Sequence, residues 1–288
     1  MKAETRKLRV VIAKGRIFQN IAQLLHDVGI DLRASERDYR PVVNNLDIEI
    51  KLMKPQNIPK LVELGSHDIG FTGKDWVVET ASDVHEVMDF GFDPVRIVAA
   101  IPDYLDLEKL RQQRIVVASE YERIATSYLQ QHGYNYVLLK TFGATEVFPP
   151  DDADMIIDNT STGRTLQEHK LQIIDTVLES STRFIANHAA MQDPWKVEQI
   201  HQMEILFQST LAARGRVMLE MNVPKEHFDE TVKLLPCMRS PTISPLYGEA
   251  GYAVKVAVKK SEVLYLIPKL KKLGVTDILE YELRKVII

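Results

Sequence analysis

The stretch at 153–166 constrains the fold of this chain more than any other. It opens with a short apolar run at 155–157, typical of a buried strand, and the run closes on Asp158. Hydroxyl residues, Gly163 and a further threonine follow before Leu166 resumes an apolar pattern. The order therefore predicts a strand, a polar turn and a helix.

A turn of this kind predicts a site for a phosphate. It directs backbone N–H groups and hydroxyls at one point, at the positive end of the following helix. Asp158 is repelled by a phosphate, so it is better interpreted as an acceptor for the hydroxyls of a sugar. An acid for a ribose beside a turn for its 5′-phosphate is the chemistry of a phosphoribosyl diphosphate loop. The same spacing also fits an ordinary strand–helix connection capped by Ser or Thr.

Two other strands end in turns that favour a ligand. A buried strand at 8–13 leads into a turn with two cations, and a strand beginning at Asp68 leads into a glycine turn. Open α/β sheets bind ligands at this end of their strands, although a solvated turn has the same composition. The candidate residues in these turns are Lys14, Gly15, Arg16, Gly73, Lys74 and Asp75.

Strands alternate with helices from the N-terminus onward, which predicts α/β sheets. We expect one lobe to consist of 1–94 with 185–210 and a second lobe, holding the polar turn, to consist of 95–184. The tail at 211–288 predicts four strands and two helices, which we interpret as βαββαβ, the split ferredoxin-like unit. The predicted tail strands are 217–221, 252–258, 278–283 and 286–288, and the predicted tail helices are 225–235 and 263–273.

The composition argues against several other classes of protein. A formal net charge of −4 gives no general case for binding nucleic acid or a membrane. No apolar stretch approaches the ~20 residues of a membrane span. Cys237 is the single cysteine, which excludes an intrachain disulfide and a cysteine-based metal cluster. We expect a cytoplasmic protein without a metal cage of its own.

The segment at 158–166 resembles the phosphoribosyl diphosphate loop of the ATP phosphoribosyltransferases, the family that opens histidine biosynthesis. The tail from about Arg214 resembles the regulatory domain of the long form of that family. Further segments fall in the family's order, namely 13–16, 68–75, 185–187 and 240–242. The resemblance therefore covers nearly the whole chain.

The resemblance implies a fold and a reaction. The fold is a two-lobed α/β core like that of periplasmic binding proteins, followed by a ferredoxin-like regulatory domain. The reaction joins N1 of the adenine of ATP to C1 of phosphoribosyl diphosphate and releases diphosphate. Mg²⁺ is the expected cofactor, held mainly through substrate phosphates. Histidine is the expected inhibitor, and the chain is expected to form a homo-oligomer, a dimer or a hexamer.

The resemblance also implies residue roles. The catalytic residues are Asp158, Glu146 and Lys14. The phosphoribosyl diphosphate is bound by Asp158, Thr160, Ser161, Thr162, Gly163, Arg164 and Thr165. The ATP is bound by Lys14, Gly15, Arg16, Gly73, Lys74 and Asp75. The inhibitor histidine is bound by Asn222, Met238, Ser240, Thr242 and Asp277.

The chain departs from the family's pattern at three places. The segment at 148–152 is one residue short and has no glycine, which affects the expected position of Glu146. Asn159 stands where the family prefers an aliphatic residue, and Asn222 where it often has an acid. Because an amide holds a cation less strongly than a carboxylate does, we expect weaker or altered inhibition by histidine. Two alternatives remain open, a binding protein without catalysis and a regulatory paralogue with damaged catalysis.

Overall fold

The computed structural model describes residues 6–33, 39–44 and 47–287. The chain forms two compact units, Met1–His26 with Ile30–Ile200, and Asp27–Gly29 with His201–Ile288. The strands of the first unit are β1 (Leu8–Ala13), β2 (Leu32–Arg33), β3 (Val42–Val43), β4 (Ile48–Met53), β5 (Ile69–Gly73), β6 (His85–Asp89), β7 (Val95–Pro102), β8 (Arg114–Ser119), β9 (Asn135–Lys140), β10 (Met155–Thr160), β11 (Leu171–Ser180) and β12 (Thr182–Ala186). The strands of the second unit are β13 (Arg216–Val223), β14 (Thr242–Pro245), β15 (Tyr252–Lys259) and β16 (Thr276–Glu282). The helices are α1 (Arg16–Asp27), α2 (Ile58–Glu63), α3 (Lys74–Thr80), α4 (Leu107–Arg111), α5 (Glu122–Gln131), α6 (Arg164–Glu168), α7 (Pro194–Arg214), α8 (Phe228–Leu234) and α9 (Lys260–Lys272).

The first lobe is built on a five-stranded sheet in the order β4-β1-β5-β12-β6. β1 is parallel to β4 and β5, whereas β12 is antiparallel to β5 and β6. Every residue of β5 and β12 is buried, as expected for central strands covered on both faces. Phe71 stacks on Phe184 with ring centroids 5.0 Å apart, and Phe90 packs beside them.

The second lobe is built on a five-stranded sheet in the order β11-β7-β10-β8-β9. β10 lies in the middle of it, antiparallel to β7 and parallel to β8. Its apolar run is fully buried, with Met155, Ile156 and Ile157 each at 0% exposure. The last residues of β10 carry the chain out of the core toward the polar turn, which places that turn at the edge of the lobe.

Two crossings join the lobes. The chain enters the second sheet where β7 begins at Val95, and it leaves that sheet where β11 ends at Ser180. The sequence pattern predicts a strand at 171–175 followed by a connector, but β11 continues through Ser180 with irregular pairing to β7. The return to the first sheet begins at Thr182, three residues before the predicted 185, because Ser181 alone separates β11 from β12.

The second unit has the ferredoxin-like order β14-β15-β13-β16, with β13 antiparallel to both of its neighbours. Buried and partly buried residues alternate along β13, which places Val217, Leu219 and Met221 in the core. The two-lobed α/β core and the βαββαβ tail predicted from the sequence are confirmed.

The positions of two tail strands were predicted wrongly: the predicted ranges run in the order βαβαββ, whereas the structure has the βαββαβ order of the interpreted unit. β14 is absent from the prediction because all four of its residues are exposed, so the strand carries no alternating apolar pattern. Conversely, 286–287 form no strand, and Ile288 lies outside the described residues. No helix within the described ranges has both the length and the apolar character needed to cross a membrane.

Candidate active site

The polar turn between β10 and α6 is stabilised by its own hydroxyls. Gly163 takes a φ of +80°, in the left-handed region that favours glycine, and so ends the turn before α6. Its N–H donates to Thr160 Oγ1 at 2.9 Å, and the N–H of Arg164 donates to Thr162 Oγ1 at 3.4 Å. The threonine hydroxyls at 160 and 162 therefore act first as local caps of the turn.

Other donors of the turn are available to a ligand. Within the described residues, the N–H groups of Ser161, Thr162 and Thr165 donate to no protein acceptor. The three residues are exposed and line a cleft of about 350 Å³. An anion that accepts these N–H groups would satisfy donors that the fold leaves unused.

This first cleft brings the polar turn together with the predicted acids. Its lining residues are Glu120, Gly143, Ala144, Glu146, Asp158, Asn159, Thr160, Ser161, Thr162, Thr165 and Leu166. Glu146 lies on a 3-10 turn that follows two residues with positive φ, Gly143 and Ala144. The altered segment at 148–152 therefore does not remove Glu146 from the cleft that contains Asp158.

Asp158 has the most perturbed carboxyl group of the site. Burial raises its pKa, to about 6, and the negative charges of Glu120 and Glu146 act in the same direction. Hydrogen bonds from the Thr145 side chain and from the backbone N–H of Asn159, at 2.7 Å, oppose the rise. A carboxyl group with this pKa is ionised at neutral pH and can accept hydrogen bonds from hydroxyls.

A second cleft, of about 250 Å³, adjoins the first and shares Glu120 and Asn159 with it. Its lining residues are Lys14, Arg16, Ile17, Pro55, Gln56, Gly73, Asp75, Trp76, Asp93, Val95, Glu120, Tyr121, Asn159, Ser180, Ser181 and Thr182. It lies where the two lobes meet, because residues from both sheets and both crossings line it. Among the described residues predicted to bind ATP, Gly15 and Lys74 do not line it.

Both predicted cations of the second cleft already have protein partners. Lys14 Nζ lies 3.4 Å from the centre of the Tyr39 ring, in a cation–π contact. Arg16 Nε lies 3.3 Å from Asp93 Oδ1, and the Arg16 side chain is 61% exposed. A phosphate would have to compete with these contacts, and the exposed Arg16 pair is the weaker of the two obstacles because solvent screens it.

Asp75 is engaged by the protein itself. Its carboxylate is 4% exposed and accepts from Ser180 Oγ at 2.6 Å and from the Tyr121 hydroxyl at 2.8 Å. A Cβ at Gly73 would lie 2.1 Å from Asp75 Oδ1, so this glycine makes room for Asp75. Both residues nevertheless line the second cleft, so their contact with ATP stays a prediction.

Tyr121 and Ser180 are functional candidates that the sequence interpretation missed. Tyr121 reads locally as a residue before a helix and Ser180 as part of a connector. Only the folded chain brings both to Asp75, across sequence separations of 46 and 105 residues. No local pattern in the sequence signals contacts of that range.

The lobes also contact each other beside the second cleft. The rings of Trp76 and Tyr121 stack with centroids 4.6 Å apart. The carboxylate of Glu79, on α3, accepts from the backbone N–H groups of Arg123 and Ile124, each at 3.0 Å. A helix of the first lobe thus caps the N-terminal end of α5 in the second lobe.

Arg164 does not direct its side chain into either cleft. Its Nε donates to Glu168 Oε1 at 2.8 Å, one turn further along α6, and the side chain is 83% exposed. Its contact with a sugar phosphate stays a prediction. A strand–turn–helix pattern cannot distinguish these two roles for an arginine at the start of a helix.

The residues predicted to bind histidine fall into two groups in the second unit. The Asn222 amide donates to Asp277 Oδ2 at 2.8 Å, across the β13–β16 pair. Thr242 lies on β14, two strands from β13, which corresponds to about 10 Å in a sheet. Met238 and Ser240 are exposed and precede β14. The five residues thus lie in two parts of the second unit, and their joint contact with histidine stays a prediction.

No three His, Cys, Asp or Glu side chains among the described residues are grouped closely enough to hold a metal ion. The acids of the first cleft, Glu120, Glu146 and Asp158, face one space without forming a chelating cage. Oxygen donors suit Mg²⁺, which keeps several waters and binds through one or two carboxylates plus substrate phosphates. The donor set fits a magnesium ion that arrives with a phosphorylated substrate.

Comparisons with known proteins place the chain in a family. A family model described as ATP phosphoribosyltransferase matches 54–206, and one described as HisG, C-terminal domain, matches 213–285. The ATP phosphoribosyltransferase of Chlorobium chlorochromatii (strain CaD3) is 38% identical over 293 residues and covers 100% of both chains. That of Pelotomaculum thermopropionicum (strain DSM 13744 / JCM 10971 / SI) is 39% identical, with 98% of this chain and 99% of the relative covered.

Solved structures support the fold. The ATP phosphoribosyl transferase (HisG:HisZ) complex from Thermotoga maritima contains a chain with a TM-score of 0.63 and 22% identity. The match covers 70% of this chain and 98% of that chain, and it shows a shared fold. The family models and the full-length relatives go further than the fold. The chain belongs to the ATP phosphoribosyltransferase family of transferases and carries that family's C-terminal domain.

Proposed function

We propose that this enzyme transfers the phosphoribosyl group of phosphoribosyl diphosphate to N1 of the adenine of ATP and releases diphosphate. This reaction is the first step of histidine biosynthesis. The observation that carries the proposal is the first cleft, where the Asp158 carboxylate and the free N–H groups of the polar turn face one space. The cytoplasm, where both substrates are made, is the location that goes with this reaction.

The sugar phosphate fits the first cleft in one orientation. The ribose hydroxyls donate to Asp158, whose carboxylate is ionised above a pKa of about 6. The 5′-phosphate accepts from the N–H groups and hydroxyls of Ser161, Thr162 and Thr165, with Gly163 shaping the turn and Thr160 capping it. Acid and phosphate are thereby kept at opposite ends of one pentose, which avoids the repulsion between them.

The reaction requires positioned substrates and stabilisation of the developing charge rather than a covalent nucleophile. Adenine N1 has a free lone pair and no proton to lose at neutral pH, so a strong general base is not required. As the bond from C1 to diphosphate breaks, positive charge develops on the ribose ring. Asp158, Glu146 and Glu120 place negative charge beside that ring, which stabilises the transition state more than the ground state.

ATP fits the second cleft, which shares Asn159 and Glu120 with the first. Its phosphates would face Lys14 and Arg16, whose turn depends on Gly15 at a φ of +87°. Holding both substrates in adjoining clefts converts a bimolecular encounter into a positioned one, which accounts for much of the rate gain in such reactions.

Magnesium completes the proposed site. Mg²⁺ neutralises charge on the leaving diphosphate when it is bound. Its ligands would come mainly from substrate phosphates and water, since no acids among the described residues are grouped into a chelating cage.

Histidine is proposed as an inhibitor that acts through the C-terminal domain matched at 213–285. Because Asn222 and Asp277 lie on the β13–β16 pair and Thr242 lies on β14, at the other side of the sheet, we propose that a second copy of the chain completes the site. A homo-oligomer, a dimer or a hexamer, is the assembly that goes with this arrangement, and light scattering of the purified protein measures it.

An assay of diphosphate release tests the function. With ATP, phosphoribosyl diphosphate and Mg²⁺, we expect the wild type to turn over. We expect Asp158→Asn to lower kcat by a factor on the order of 10² or more, because it loses the charge that orients the ribose. Asp151→Asn, an exposed change in the same lobe, is the control and should not alter kcat. A wild type that binds both substrates yet releases no diphosphate would overturn the proposal in favour of a regulatory paralogue with damaged catalysis.

A further inference from the structure

We infer that Asn159 and Tyr121 are positioning residues: a chain of hydrogen bonds from Asp75 in the first lobe fixes the orientation of the Asp158 carboxylate in the second lobe. The inference rests on the proposed function, in which Asp158 accepts the ribose hydroxyls. It gives a role to Asn159, which stands next to the key carboxylate and lines both clefts.

The first link of the chain is the Asn159 side chain. Its amide nitrogen lies 3.1 Å from Asp158 Oδ1 and 3.2 Å from the Tyr121 hydroxyl oxygen. An amide carries two hydrogens and can donate to both oxygens at once. The backbone N–H of Asn159 also donates to Asp158 Oδ1, at 2.7 Å. Asp158 Oδ1 is thus held by two donors of Asn159, and the Thr145 side chain bonds the same carboxylate, so neighbouring groups fix its orientation.

The second link is the Tyr121 hydroxyl. It has a single hydrogen, which it donates to Asp75 Oδ2 at 2.8 Å, so its oxygen accepts from Asn159. Burial raises the pKa of Tyr121, and the neighbouring Asp75 carboxylate raises it further. The hydroxyl therefore stays protonated across the working pH range, and the direction of the chain does not reverse.

The third link anchors the chain at a crossing between the lobes. Ser180 Oγ donates to Asp75 Oδ1 at 2.6 Å and accepts from the Asp75 N–H at 3.0 Å. Ser180 ends β11, one residue before the chain returns to the first sheet. The Trp76 ring, stacked on Tyr121, restricts the tilt of the phenol. The far end of the chain is consequently held by buried groups, while its near end reaches the substrate.

The chain of hydrogen bonds also affects the pKa of Asp158. Donors to a carboxylate favour its charged form, and here they oppose burial and the charges of Glu120 and Glu146. The Asn159 amide is a further donor, 3.1 Å from Asp158 Oδ1, so its loss should raise the pKa of Asp158. Loss of the Tyr121 hydroxyl frees the amide to rotate and produces a smaller rise of the same sign.

The experiment compares variants by the pH dependence of kcat/KM for phosphoribosyl diphosphate. Asn159→Leu removes the amide at an exposed position, and Tyr121→Phe removes the hydroxyl but keeps the stacked ring. Tyr128→Phe is the matched control, because Tyr128 donates to Asp175 Oδ2 at 3.1 Å in the same lobe without a link to Asp158. Thermal melting at each pH verifies that every variant is folded under assay conditions.

We expect the acid limb of kcat/KM to move up by roughly half a unit to one unit in Asn159→Leu and by less in Tyr121→Phe. At pH 8, kcat/KM should fall about tenfold in Asn159→Leu, and the fall should be larger at pH 6. The double variant should resemble Asn159→Leu alone, since the two residues act in one chain. Tyr128→Phe should leave the profile unchanged.

A titration that needs no activity separates this inference from the proposed function. In ligand-free protein labelled with ¹³C at aspartate carboxyls, the resonance lost in Asp158→Asn identifies Asp158. We expect it to titrate near pH 6 in the wild type and at higher pH in Asn159→Leu. An unchanged midpoint in Asn159→Leu, or an equal shift in Tyr128→Phe, would overturn the inference. An inactive wild type with the expected midpoints would instead overturn the proposed function alone.

Discussion

At the scale of single residues, the site contains groups that sequence patterns predict and groups that only the folded structure brings to the site. Asp158 and the polar turn follow directly from the order of residues after an apolar run, and Glu146 follows from its resemblance to a family motif. Tyr121 and Ser180 were missed because their roles come from Asp75, which lies far from both in the chain. The pattern of residues adjacent in the sequence indicates turns, but it does not indicate contacts between the lobes.

The charged Asp158 carboxylate lowers the free energy of unfolding, and the variant Asp158→Asn measures by how much. The folded pKa of about 6 lies above the usual 3.8, so the charged form is disfavoured in the folded protein above pH 6 and the effect is absent below about pH 4. We expect Asp158→Asn to raise the free energy of unfolding by about 1–3 kcal/mol at pH 8 and to leave it unchanged at pH 4.

Urea unfolding at the two pH values measures this difference. Asp151→Asn, at an exposed site, should produce no gain at either pH. An equal gain for Asp158→Asn at pH 4 and pH 8 would contradict the account, because a neutral carboxyl and an amide have the same charge at the lower pH.

At the scale of elements, buried strands were predictable and exposed ones were not. β1 and β10 were predicted because each is an apolar run followed by a glycine-containing turn. β14 does not, since its residues are exposed and it pairs with β15 through backbone groups alone. β6 was missed for a similar reason, because no residue of His85–Asp89 is buried. Backbone pairing at an edge leaves no apolar signature in a sequence.

The turn between β5 and α3 yields a prediction about Gly73. Its backbone, with φ −74° and ψ 146°, suits any residue, but a Cβ would lie 2.1 Å from Asp75 Oδ1. Gly73→Ala must therefore displace a buried carboxylate from Tyr121 and Ser180. We expect a loss of about 2–4 kcal/mol in the free energy of unfolding.

Chemical denaturation of Gly73→Ala checks this loss. Gly215→Ala is the control, because a Cβ there meets nothing within 4 Å, and we expect a change of less than about 0.5 kcal/mol. A Gly73→Ala variant as stable as the control would mean that Asp75 moves aside freely and does not anchor the lobes.

At the scale of the whole molecule, the pattern of strands and helices predicted the α/β sheets and the ferredoxin-like tail, and the resemblance to the family implied the two-lobed core. The tail brings Asn222 and Asp277 together, where an amide already uses one carboxylate oxygen. We expect histidine to inhibit the transferase reaction, and Asn222→Asp to lower the concentration for half inhibition by about tenfold, since a second carboxylate attracts the cationic groups of histidine.

Titration of histidine into the diphosphate assay measures both effects. Asn135→Asp, which makes the same chemical change at an exposed position of the second lobe, should leave inhibition as in the wild type. The absence of any response in the wild type up to millimolar histidine would refute an effector role for the tail.

The cap that Glu79 places on α5 has a consequence for the opening of the two lobes. Separation of the two lobes would remove the Glu79 acceptor from two N–H groups of α5. It would also separate the stacked rings of Trp76 and Tyr121. The missing cap alone costs about 0.5–2 kcal/mol. Opening of the two lobes is therefore opposed by the cost of the lost cap and by the loss of the ring stacking.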